Sequence, residues 1–150
     1  MKKCAIIFVS FFSVILSFSA MFSAQALQQE RLLIESSVKE FINYLPGNVY
    51  WKDKSGVYLG CNEQQALTLS LDSPEGIVGK TVYDLVPQDM AKIIEQNDIE
   101  IMQHGHEVKK IEQGYDTKGQ LVNYISLKKP IKDDVGKVIG LIGISFIEKN

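Results

Sequence analysis

The chain has 150 residues, 45% of them apolar and 23% charged, the proportions of a globular protein and not of a disordered or fibrous one. Its 16 Lys plus Arg against 18 Asp plus Glu give a net charge of −2. No basic stripe is present to neutralise a phosphate backbone, so nucleic acid is not an expected partner.

Lys2 and Lys3 precede an uncharged stretch from Cys4 to Ala26, rich in Ile, Phe, Val and Leu, which closes on Ala24-Gln25-Ala26. A basic start, an apolar run and a small-x-small end mark a secretory signal peptide. The run is also 23 residues long, and about 20 suffice to cross a bilayer, so an uncleaved anchor over 1–26 is the other expectation. Either outcome exports the remainder, and the lysines before the run with none clustered after it favour that topology. Cleavage after Ala26 leaves 14 basic against 18 acidic residues, a net charge of −4. Only Cys61 then remains, so the folded part must be held by its core without an internal disulfide.

Over 27–45, Leu27, Ile34, Val38, Phe41 and Leu45 recur at helical spacing while Gln28, Gln29, Glu30, Arg31, Lys39 and Glu40 fill the other face, which predicts an amphipathic helix. Ile34, Val38, Phe41 and Leu45 form a short seam that can pair with a second copy or pack on its own domain. Pro46-Gly47 ends the helix and opens a domain over 46–150. Val49 to Lys52 and Val57 to Cys61 flank Asp53-Lys54-Ser55-Gly56, which predicts a hairpin. Asn62 with Gln65 caps a first short helix, Ser73-Pro74 starts a second that Gly79 ends, and Thr81 with Asp84 caps a third. Pro87 opens the longest internal helix, with Met90, Ile93, Ile94, Ile101 and Met102 mainly on one side and Gly105 as its stop. Three strands follow, over 107–113, 121–129 and 138–147, joined by turn-rich segments. The last, Val138 to Ile147, is apolar on both faces and belongs mid-sheet. Strands and helices that do not alternate exclude a doubly wound sheet; a five-stranded antiparallel α+β sheet with short helices on one face fits.

That order of elements, with Leu45-Pro46-Gly47-Asn48-Val49-Tyr50-Trp51-Lys52-Asp53, the Gly56 turn, Asn62, Gly79-Lys80-Thr81, Tyr83-Asp84-Leu85-Val86-Pro87 and Pro130-Ile131 before Asp133, Gly136, Val138, Ile139 and Gly140, resembles the PAS family from Phe41 to Glu148. It is most similar to the PAS modules of bacterial sensor histidine kinases. The resemblance implies a non-catalytic sensor in a signal-transduction or two-component pathway, with a ligand pocket between sheet and helices and output through paired terminal helices. It implies as partners a small molecule, a second copy, or a sensor kinase or other signalling protein. In a bacterial cell the exported chain is periplasmic, secreted or held at the inner membrane, with a cytoplasmic chain as the alternative. Neither haem nor flavin is expected: haem-binding members place a histidine inside the long helix, where this chain has Asn97, and flavin-binding members carry an Asn-Cys-Arg motif that is absent here.

Candidate chemistry is sparse. No phosphate loop or catalytic set can be assembled, so no enzyme is expected. His104 and His106 lack further metal ligands, and His104 fits a helix end. Cys61 reads as a small buried hydrophobe. Glu107, Glu112 and Asp116 read as charges that keep an edge strand soluble. Tyr50, Trp51, Tyr83 and Tyr124, with Asn97 to orient a ligand, are the pocket candidates, because such side chains give an apolar wall with a polar tip; Tyr58 and Asn123 are weaker ones. A structural dimerisation module with a filled pocket is the competing function.

Overall fold

A computed structural model describes the backbone of residues 2–148 and the side chains of residue 21 and residues 23–148. The chain divides into two compact units, Met1–Phe41 and Ile42–Asn150. The first lies on helix α1, whose backbone runs over Lys2–Tyr44. The signal or anchor expected over 1–26 lies, but for its last few residues, outside the described side chains; among the described residues no helix is long and apolar enough to cross a membrane. Further along α1, Arg31 Nε donates to Glu35 Oε1 at 2.9 Å, one helical turn away. Ile34, Val38 and Phe41 are 57%, 50% and 63% exposed along the helix.

In the second unit, β1 (Asn48–Asp53) and β2 (Tyr58–Cys61) form the expected hairpin. Helix α2 (Glu63–Thr68) and two single 3-10 turns, Pro74–Ile77 and Val82–Asp84, lead to α3 (Gln88–His104). Strands β3 (Val108–Tyr115), β4 (Leu121–Lys132) and β5 (Val138–Ile147) complete a five-stranded antiparallel sheet in the order β2-β1-β5-β4-β3. β5 is central, as its apolar run required.

One device is used at all three tight turns. Asp53, Asp116 and Asp133 each turn a carboxylate oxygen back to accept from the amides two and four residues on, at 2.8 and 3.0 Å, 2.8 and 2.8 Å, and 3.1 and 2.9 Å. The third residue on is Gly56, Gly119 or Gly136, at φ of 80°, 75° and 82°, where a side chain would be strained. Asn62 is a hub: its Oδ1 accepts from the Gln65 amide at 2.9 Å, capping α2, and from the Val49 amide at 3.0 Å, while Nδ2 donates to the Gly47 carbonyl at 3.0 Å. Thr81 and Asp84 make the expected capping box.

Within this unit, α2, α3 and the two 3-10 turns lie on one face of the sheet. Between them Tyr50, Tyr58, Cys61, Ala66, Ile77, Val82, Ala91 and Leu141 form the core. A bulge is needed to build it. Trp51 pairs with Gly60 and Lys52 with Tyr58, so Leu59 is the extra residue in β2, and Tyr58 and Cys61 both face the helices. The α3 expectation needs one correction: Ile93 turns outward, 55% exposed. The inward side is Ala91, Ile94, Asp98 and Ile101, spaced three, four and three.

On the uncovered face the Trp51 indole lies over Gly60, and a Cβ added there would collide with the ring. Gly60→Ala should therefore destabilise the fold by about 1–3 kcal/mol, the usual cost of overpacking. Urea denaturation checks this, with the exposed Leu59→Ala, within roughly 0.5 kcal/mol of wild type, as the comparison.

Candidate functional site

On the helix-covered face, alternate residues point inward: Asn48, Tyr50 and Lys52 from β1, Glu112 from β3, Tyr124, Ser126 and Lys128 from β4, and Ser145 from β5, all buried. Four are ionisable. Lys52 and Lys128 are each 1% exposed, Asp98 3% and Glu112 6%. Asp98 on α3 accepts from both ammonium groups, Lys52 Nζ to Oδ2 at 2.6 Å and Lys128 Nζ to Oδ1 at 2.7 Å. Lys128 Nζ also donates to Glu112 Oε1 at 2.7 Å, and Asn97 Nδ2 reaches the same oxygen at 2.8 Å. Two cations thus meet two carboxylates in one chain of charge-assisted hydrogen bonds. Lys52 Nζ further lies 4.2 Å from the centre of the Tyr58 ring.

Glu112 overturns the expectation that it keeps β3 soluble. It sits on the edge strand, but its parity turns it under the helices, where Lys128 balances its charge. Lys52, Lys128 and Asp98 were not singled out by sequence. The available signal was a carboxylate at a seam position of α3 and lysines in phase with inward-facing strand residues.

Burial of the Tyr50 and Tyr58 hydroxyls raises the pKa of both well above the ordinary value, with the Asp98 and Glu112 charges adding to it and Lys128 opposing. Burial alone would lower that of Lys128, but the Asp98 and Glu112 carboxylates beside it outweigh this and hold it raised, and a Tyr50 phenolate would add to this only where strongly alkaline pH ionises the phenol. Burial, then the Glu75 charge, pushes the Cys61 thiol up to about 11, which suits a packing residue better than a nucleophile.

Beside the charge cluster is a cavity of about 80 Å³, lined by Tyr50, Tyr58, Thr68, Glu112, Tyr124 and Ser126 among others, with Leu69, Val82, Val86 and Ile94 as apolar wall. Of the pocket candidates, the fold brings Tyr50 and Tyr124 to its lining, with Asn97 one hydrogen bond behind Glu112. Tyr124 donates its hydroxyl to the Tyr115 carbonyl at 3.1 Å. Trp51 falls on the opposite face because strand parity separates it from Tyr50. Tyr83 is 42% exposed and donates to Glu95 at 2.6 Å on the surface, and Asn123 is exposed and donates to Glu148. Tyr58, only a weaker candidate, is at the cavity. A larger recess of about 510 Å³ lies on the uncovered face between Leu45, Val49, Leu127, Ile142 and Ile144. Its walls combine these apolar residues with Glu107, Lys109 and Lys129, whereas the smaller cavity is lined by buried tyrosines, serines and Glu112. Among the described residues no group of His, Cys, Asp and Glu could hold a metal ion.

The family described as the PAS fold matches residues 42–146. Among solved structures, the chain is similar to VqmA of Vibrio cholerae in complex with ligand and DNA, at 24% identity and a TM-score of 0.67 over 75% of this chain and 50% of that one. VqmA bound to DPO gives 24% identity and 0.68 over 77% and 57%. The PAS domain of Bordetella pertussis BvgS gives 18% identity and 0.64 over 77% and 86%. The chain thus spans about half the length of the first VqmA chains it matches, at 50% and 51%. No curated protein matches it in sequence.

The raised groups set an alkaline limit. A lysine whose folded pKa is raised stabilises the fold fully below the ordinary value of about 10.4 and loses that contribution as pH climbs beyond it. Phenols that stay protonated when folded act the same way above about 10. The urea midpoint should hold from about pH 7 to 9 and fall above about 10, and Tyr50→Phe should make that fall shallower.

Proposed function

Because this chain belongs to the PAS fold family, we propose that it is a receptor module that binds a small molecule in the cavity under its helices and acts by binding, not by turnover. The observation that carries this is the cavity wall: buried tyrosines and a carboxylate line a cavity of about 80 Å³ beneath the helices. The neighbours support it as an analogy of fold, since VqmA is solved with a ligand and with DPO. The DNA of the VqmA complex is not carried over, because acidic residues outnumber basic ones here.

A ligand beside Glu112 perturbs the pair it makes with Lys128, and Asp98 connects Lys128 to Lys52 on β1. β1 follows directly on the Leu45-Pro46-Gly47 exit from α1, so occupancy is read out at the base of the terminal helix. Native mass spectrometry of the protein purified from its own host should detect a retained small molecule that denaturation releases. Thr68→Trp, filling the cavity wall, should abolish retention with the far-UV spectrum unchanged. Ligand-free wild-type protein from that host would overturn the receptor reading.

A second reading is favoured by the uncovered face, where Ile111, Leu127 and Ile142 are 60%, 44% and 39% exposed. An apolar sheet face of this kind is a contact surface, and we propose a second copy of the chain as its cover. The exposed row of Ile34, Val38 and Phe41 on α1 offers that copy matching apolar chemistry. Ile142→Glu should convert a dimer to a monomer in sedimentation velocity with little change in unfolding midpoint; a monomeric wild-type chain would exclude the dimer.

A further inference from the structure

We propose that the cavity selects an uncharged ligand with one hydrogen-bond acceptor, taken by the Tyr50 and Tyr58 hydroxyls, and one donor, given to Glu112 Oε2. This rests on the receptor reading and narrows it to a chemical class.

Charge balance supplies the first argument. Lys52 and Lys128 are already matched by Asp98 and Glu112 at 2.6–2.7 Å, and all four are 6% exposed or less. An anionic ligand would have to draw an ammonium group away from one of these carboxylates and leave a buried charge unmatched. A cationic ligand would add an unbalanced positive charge beside Lys128. Each costs more than hydrogen bonding to the ligand returns, because unmatched charge is penalised steeply away from water.

Unused hydrogen-bonding capacity supplies the second. Tyr50 and Tyr58 are each 6% exposed, and neither hydroxyl has a hydrogen-bond partner among the described residues. Yet among the described residues no fully enclosed side-chain nitrogen or oxygen lacks a partner, so both hydroxyls meet open space, and both residues line the cavity. Glu112 uses Oε1 for both Lys128 and Asn97, which leaves Oε2 without a hydrogen bond among the described residues, on a side chain that also lines the cavity. Since burial keeps the phenols protonated, they serve as donors, and the carboxylate can only accept. An amide-like group, neutral and bearing C=O and N–H together, satisfies both.

The test uses three nearly isosteric probes, propionamide, propionate and propylammonium, titrated into the full chain at neutral pH and followed by amide chemical shifts. Propionamide should shift cavity residues saturably and bind at least about tenfold more tightly than either ion. Tyr58→Phe should weaken propionamide and the acceptor-only probe butanone alike. Glu112→Gln, if folded by its far-UV spectrum, should weaken propionamide more than butanone. Equal or tighter binding of propionate or propylammonium at the cavity overturns the ligand class and leaves the receptor reading standing. Binding of none of the three also overturns it; the receptor reading falls only if host-purified protein is ligand-free as well.

Discussion

Asp98 occupies the middle of the inward seam of α3 and accepts from two lysines on different strands, Lys52 on β1 and Lys128 on β4. Removing one partner from a buried pair typically costs about 3–5 kcal/mol, because the charge left behind has neither water nor a counterion. The helix is therefore tied to the sheet at a fixed register. Ala91 and Ile101, in line with Asp98 along that seam, are fully buried, so apolar packing and charge pairing select the same face of α3. Glu112 extends the chain of charges to the edge strand, which brings all of β1, β3, β4 and α3 into one polar interior.

A polar interior inverts the usual arrangement of a sheet covered on one side. The helix-covered face carries lysines, serines, tyrosines and a glutamate, while the open face carries Val49, Leu127, Ile142 and Ile144. Burying polar groups is costly unless each is hydrogen-bonded, and among the described residues every fully enclosed side-chain polar atom has a partner. Tyrosine hydroxyls and a carboxylate remain at the cavity, while the opposite face mixes Ile111, Leu127 and Ile142 with Lys109 and Lys129.

The element order, the capping residues and the central position of Val138–Ile147 were legible in the chain because they rest on local rules. Asp53, Asp116 and Asp133, each three residues before a glycine, fix the hairpin turns through bonds spanning four residues or fewer. The site was only partly legible. Tyr50 and Tyr124 were found by residue type, yet Trp51, one position along, faces the other way, and Tyr83 lies at the surface. Type alone carries no information on facing, and the bulge at Leu59 changes the parity of β2 without any mark that distinguishes it in sequence.

By itself, then, the sequence determined the elements, their turns and the α+β class, since each depends on neighbours a few residues apart. Only the tertiary structure decided that Lys52, Asp98, Glu112 and Lys128 form one cluster. They are scattered across four elements, and as isolated letters each reads as an ordinary surface charge. What makes them interior is mutual neutralisation, which exists only when all four strands and helices have brought them within hydrogen-bonding distance.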